Sequence, residues 1–270
     1  MNLEIVKSYL VGTSLGDLAK RVRWVMAASR RKRHPELSDI YLEGDRIDRV
    51  VGRLINDSSN CIDIGCHIGS MLDLFVKLAP RGHHMAFEPI PWKARRLTRK
   101  FPSVAVRQMA LGDASGEVSF SIDVGRSGYS GLLSHPSRSA WNREIKVPCE
   151  RLDRLVPADH KVDLIKVDVE GAELLVFRGA QEILRRDHPP LIFESTEGGL
   201  SLYGQSTADL FNLLVGEHDY RLFTPRGFLD AAQPLSLDQY DSAHRYPFKA
   251  FNFIAIPRAH PILASTSSPN

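Results

Sequence analysis

Five carboxylic acids stand where short apolar runs end: Asp63, Glu88, Asp168, Glu170 and Glu194, with His67 close behind the first. Side chains presented this way can accept hydrogen bonds from hydroxyls, balance a cationic ligand or take up a proton. The stretch that organises them is Cys61-Ile62-Asp63-Ile64-Gly65-Cys66-His67-Ile68-Gly69-Ser70. Its apolar run suits a buried parallel strand, followed by a glycine turn and the start of a helix. Gly65 permits a sharp turn and close approach of a ligand, and Gly69 lets the helix start pack near that turn. Free backbone N–H groups at such a helix start suit a polar or anionic ligand. Glu88 follows Asp63 by 25 residues, at the end of a second apolar stretch, Met85-Ala86-Phe87. That is close to the spacing, about 20 residues, at which the second strand of a nucleotide-binding βαβ unit offers an acid to ribose hydroxyls.

Two nucleotide readings compete. A dinucleotide site needs G-x-G-x-x-G so that backbone can lie against the pyrophosphate. Here Cys66 and His67 stand where the middle glycine belongs, and Asp63 would set negative charge beside negative charge. A cationic nucleoside fits better. S-adenosylmethionine (SAM) carries a sulfonium, an ammonium and a ribose, matching Asp63 and Glu88 together. Methyl transfer from a sulfonium is an in-line displacement with a neutral leaving group, so the protein's task is alignment, worth about 7–11 kcal/mol in well-oriented cases. A hydroxyl acceptor also needs a base or a metal to take its proton. Asp168 is placed for that role, with His67 and His135 as alternatives. Asp168, Glu170 and Glu194 are also a chemically reasonable set for Mg²⁺. The rival enzyme is a nicotinamide-dependent oxidoreductase on the same architecture. The rival outside catalysis is a SAM-binding partner in a biosynthetic complex.

The elements that must position these residues follow from periodicity. Residues 1–56 read as an N-terminal helical segment, 57–258 as the catalytic domain and 259–270 as a disordered Ser/Thr/Pro-rich tail. The N-terminal segment grows basic from Lys20 to Arg33, with Val22, Trp24, Val25 and Met26 interleaved. A solvated helix face is the simpler reading, and peripheral contact with an anionic membrane is the alternative. Tyr41, Glu43 and Asp45 either line a cofactor pocket or cap the helix carrying Ile47, Val50, Val51 and Leu54. The basic helix after Pro91, from Lys93 to Lys100, reads as an outer face, and a third strand runs from Val104 to about Ala110. An extra strand spans Val118–Ile122. The glycine- and serine-rich residues 124–143 read as a loop beside the acceptor, with His135 and Trp141 as contacts, or as a flexible insertion. Core strands end at Asp168 and Glu194, Ser206 and Asp209 form a capping box, and two last strands cover 220–224 and 251–256. The result is an α/β fold, a mostly parallel sheet with helices on both faces.

A net charge of +3 is too small to imply nucleic acid. Three cysteines, none in a C-x-x-C pair, indicate neither a disulfide framework nor a zinc site. No apolar run is long enough to span a bilayer, and a cytoplasmic location is expected.

The motifs then resemble one family, the FkbM-type SAM-dependent methyltransferases. The matching pieces are Ile62-Asp63-Ile64-Gly65 with Gly69, Phe87-Glu88-Pro89, Ala110-Leu111-Gly112-Asp113 with Gly116, and Leu152-Asp153. Most specific is Ile165-Lys166-Val167-Asp168-Val169-Glu170-Gly171-Ala172-Glu173, followed by Gly179-Ala180 and Glu194. The resemblance runs from about His34 to Ile256. It implies a Rossmann-like seven-strand class I methyltransferase fold. It implies cofactor contacts from Asp63, Gly65, His67, Gly69, Glu88, Pro89 and Ala110, with His67 standing where many members carry asparagine. It implies O-methylation of a hydroxyl on a saccharide, glycolipid or other secondary metabolite.

Overall fold

A computed structural model describes residues 3–123, 130–132 and 142–264. The expected site residue His135, and with it Trp141, lies outside the described residues. Seven strands form the main sheet: β1 (Cys61–Ile64), β2 (Met85–Phe87), β3 (Ala105–Arg107), β7 (Leu164–Val167), β8 (Leu191–Glu194), β9 (Tyr220–Phe223) and β10 (Asn252–Pro257). Between β3 and β7 the chain makes a second, three-stranded sheet from β4 (Ala110–Leu111), β5 (Gly116–Asp123) and β6 (Asn142–Glu150). The main sheet runs β3-β2-β1-β7-β8-β10-β9, parallel except for β10, which is antiparallel to both neighbours. This is the Rossmann-like seven-strand arrangement expected.

Alternation along the strands sorts side chains to two helical layers. Ile62, Ile64, Ile165, Val167 and Phe193 pack with Leu174, Phe177 and Leu210 on one face. Cys61, Leu164, Ile192 and Ile254 pack with Ile47, Val50, Val51 and Phe75 on the other. The Glu43–Leu54 helix therefore belongs to the layer covering the sheet. Glu43 makes no side-chain cap and is not in the lining of the two cavities described below: its Oε1 accepts from the backbone of Phe251 and Asn252, tying the helix to the start of β10. The tail expectation is corrected at its start, where Pro261–Ala264 is helical and Ile262 and Leu263 pack against the second layer.

Three further differences are local. The expected third strand splits into β3 and β4 around residues 108–109. The helix after Glu173 breaks at Gly179, where a Cβ would fall 1.9 Å from the Gly112 carbonyl oxygen. Residues 142–150, assigned in part to a loop, form β6, which pairs antiparallel with β5.

Register decides what reaches the site. Ile64 pairs with Phe87 on one side and Val167 on the other, and Val167 pairs with Phe193. The next residues, Gly65, Glu88, Asp168 and Glu194, therefore emerge side by side at the carboxyl edge, where open α/β sheets bind ligands. Gly65 has φ +76°, and a Cβ there would fall 1.8 Å from the Asp168 carbonyl oxygen. Gly65→Ala should therefore cost about 2 kcal/mol or more in urea denaturation. An unchanged midpoint would show that the β1 and β7 ends can part without loss.

Candidate active site

The carboxyl ends of β1, β2, β7 and β8 open onto a cavity of about 270 Å³. One wall is polar, with Gly65, His67, Glu88, Asp168, Glu170 and Glu194. An apolar part of the lining is formed by Ile90, Met109, Leu111, Phe120 and Leu132. The β5–β6 hairpin contributes to that part by packing Phe120 with Ile90, Ala110 and Val147. A neighbouring cavity of about 340 Å³ is lined by Thr196, Glu197, His244, Phe248 and Phe251, and shares Glu170 with the first.

The glycine turn is held by the acid it faces. Gly65 N–H donates to the Phe87 carbonyl at 2.9 Å, and His67 N–H donates to Glu88 Oε2 at 2.9 Å. Glu88 Oε1 accepts from Ile90 N–H at 2.9 Å. His67 adopts φ +50°, a left-handed conformation that histidine and asparagine both tolerate. A histidine at this position therefore keeps the turn intact. Burial pushes the Glu88 pKa up to about 7, against the pull of Lys93 and the two backbone donors.

Beneath the cavity floor lies a buried ion cluster. Lys166 Nζ sits 2.9 Å from Asp168 Oδ2 and 3.9 Å from Asp63 Oδ1. Burial pulls the Lys166 pKa down, but Asp168 and Asp63 outweigh it and the ammonium is held charged. Asp63 is fully buried, and burial pushes its pKa up to about 6 while Lys166 opposes the rise.

The loop after β7 is shaped by its own sequence. Glu170 takes φ +57° and Gly171 φ +105°, and a Cβ on Gly171 would fall 2.3 Å from the Gly199 carbonyl oxygen. Glu173 Oε1 accepts from Val169 N–H at 3.2 Å and Gly171 N–H at 3.1 Å, pinning the turn from below. Burial pushes Glu173 up to about 7. Glu194 rises furthest, to about 9, because burial adds to the fields of Asp168 and Glu170, so it is protonated at neutral pH.

The expected site residues divide accordingly. Gly65, His67, Glu88, Pro89, Ala110, Asp168, Glu170 and Glu194 line the cavity. Asp63 and Gly69 do not. Asp63 lies one layer below, on Lys166, and Gly69 faces Leu97 and Phe101 of the Pro91–Lys100 helix. Among the described residues, no three His, Cys, Asp or Glu side chains are grouped to hold a metal, so Asp168, Glu170 and Glu194 share a wall without forming a metal cage. Lys93, expected on an outer face, is buried and lines the cavity near Glu88. Its signal was available, since it precedes the buried Leu97 by one helical repeat.

Fold and site together define a protein of the seven-strand class I methyltransferase architecture. The chain belongs to the methyltransferase FkbM domain family, whose model matches residues 63–222. It is similar to the 2-O-methyltransferase NoeI of Sinorhizobium fredii strain NBRC 101917 / NGR234, 30% identical over 155 residues. The match covers 51% of this chain and spans 64% of that relative's length. Among solved structures it is similar to methyltransferase FkbM from Methylobacillus flagellatus KT, at 18% identity and TM-score 0.48, covering 75% of this chain and 44% of the other. It is also similar to Aeropyrum pernix fibrillarin in complex with natively bound S-adenosyl-L-methionine, at 13% identity and TM-score 0.41, covering 78% and 73%. No helix among the described residues is long and apolar enough to cross a membrane.

Lys166→Met should leave Asp63 buried without its counter-charge and cost about 3–5 kcal/mol in chemical denaturation. Adding Asp63→Asn should recover part of that loss. Equal stability of the single and double variants would show that the two groups do not interact.

Proposed function

We propose that this chain transfers a methyl group from SAM to a hydroxyl of a saccharide, glycolipid or other secondary metabolite. The observation that carries the reading is the placement of Glu88 and Asp168 on one cavity wall, each fixed from beneath by a separate set of partners. The cavity suits a cationic nucleoside. Each Glu88 oxygen accepts one backbone N–H and keeps lone-pair capacity for ribose hydroxyls. The apolar part of the lining suits a base, and Asp168 and Glu170 supply negative charge. Family membership and the relative named as a 2-O-methyltransferase support methyl transfer to oxygen.

The bound cofactor would supply an electrophilic methyl group on sulfur. Asp168, half-buried and held by Lys166, accepts the acceptor hydroxyl's proton and orients its oxygen. Glu194 stays neutral and donates a hydrogen bond where a second carboxylate would repel the first. The adjoining cavity takes the rest of the acceptor. Phe248 and Phe251 offer flat faces to a pyranose ring, and Glu197 and Thr196 offer hydroxyl contacts.

Two outcomes test this reading. Asp168→Asn should lower kcat by roughly 10²–10⁴-fold in an assay of methyl transfer to hydroxylated acceptors, with S-adenosylhomocysteine (SAH) affinity retained. Normal turnover would remove Asp168 from the chemistry. Glu88 must be ionised to accept from two backbone donors and a ribose together. SAH affinity should therefore rise with pH through about 7 and be roughly tenfold weaker at pH 6 than at pH 8. Glu88→Gln should bind SAH more weakly and lose that pH dependence. A wild-type affinity flat across this range would contradict the assignment.

A further inference from the structure

The helix Ser14–Met26 carries an apolar face that no described residue covers. Leu15 is 67% exposed, Leu18 56%, Val22 48%, Val25 69% and Met26 77%. At 3.6 residues per turn these five positions fall within an arc of about 100°. The backbone positions of Arg21 and Arg23 border that arc on either side. The helix Ala28–Arg33 follows directly, with Arg30, Arg31, Lys32 and Arg33. Over residues 3–34 the chain places eight lysines and arginines against two carboxylates, Glu4 and Asp17.

The helix Ser14–Met26 and the basic cluster are held together through Trp24, which lies on the side of the helix away from the apolar arc. The Arg31 guanidinium lies 3.6 Å over the Trp24 ring and donates to the Trp24 carbonyl oxygen. The unit is also anchored to the catalytic domain. Arg96 stacks 3.4 Å over Tyr9, and Lys100 Nζ donates to the Val11 carbonyl oxygen at 2.6 Å. Both cations lie on the Pro91–Lys100 helix, whose first turn carries Lys93 into the cavity.

An apolar stripe bordered by arginines and followed by a basic run has the composition of a helix that lies in a membrane interface. A second copy of the chain would bring two strongly basic segments together, so charge disfavours self-association through this face. An anionic bilayer satisfies both halves at once, acyl chains against the stripe and headgroups against the cations. We propose that residues 14–33 bind the surface of an anionic lipid bilayer, lying on it without crossing it. This inference stands independently of the acceptor's identity.

The test is flotation of the full chain with vesicles of phosphatidylcholine, with and without phosphatidylglycerol. The chain should float with the anionic vesicles and not with the neutral ones, and binding should weaken as salt is raised. Leu18→Glu with Val25→Glu should reduce binding at least roughly tenfold, as should Arg30→Ala, Lys32→Ala and Arg33→Ala together. Both variants should keep the wild-type melting temperature and SAH affinity. The second variant removes only exposed charge and guards against misfolding of the first. No binding to anionic vesicles at low salt would overturn the proposal. So would vesicle binding unchanged in both variants. Concentration-dependent dimerisation abolished by the Leu18 and Val25 substitutions would assign the face to a second copy instead.

Discussion

The buried ammonium of Lys166 holds the centre of the molecule. Lys166 pairs in register with Asp63 on the neighbouring strand, and its charge lies between Asp63 and Asp168. Burying one charge without a partner is costly, so the three groups persist only as a set. The set has a geometric consequence. A slip of one residue between β1 and β7 would turn Lys166 away from Asp63 and leave both charges in apolar surroundings. The same register brings Gly65, Glu88, Asp168 and Glu194 to one edge. The interaction that fixes strand pairing thus also places the polar wall of the cavity.

From that floor the Lys-x-Asp-x-Glu-Gly-x-Glu stretch can be read one residue at a time. Lys166 anchors, and Asp168 reaches the cavity. Glu170 turns left-handed to stand between the two cavities. Gly171 leaves room for the backbone at Gly199, and Glu173 ties the turn from below. Burial separates the acids by protonation as well as by position. Glu194 is held neutral at physiological pH, while Glu88 sits at its midpoint and can be tipped by a ligand.

Much of this was legible in the sequence because strands ending in acids leave a strong signal. The turn from Gly65 to Gly69, Glu88, Asp168, Glu170 and Glu194 could each be located from an apolar run and the residue closing it. Burial depth was harder to read. Asp63 looked like a ligand contact, yet strand alternation puts it on the face of Cys61, under a helix. Lys93 looked like surface because its neighbours Arg95, Arg96 and Arg99 are basic, although its spacing from Leu97 marks the inner face. Strand β6 was missed behind a glycine-rich run, though Ile145, Val147 and Cys149 alternate with polar residues and proline. The insertion of β10 between β8 and β9 rests on long-range pairing that no local pattern carries.

The central claim is that the glycine turn and Glu88 form a site for a cationic nucleoside and not for a pyrophosphate. Calorimetric titration of the purified chain with SAH, run beside NAD, tests it most directly. The account predicts saturable binding of SAH and none of NAD. Binding of NAD alone would contradict it, and would require the backbone of the turn to leave Glu88 and face a phosphate.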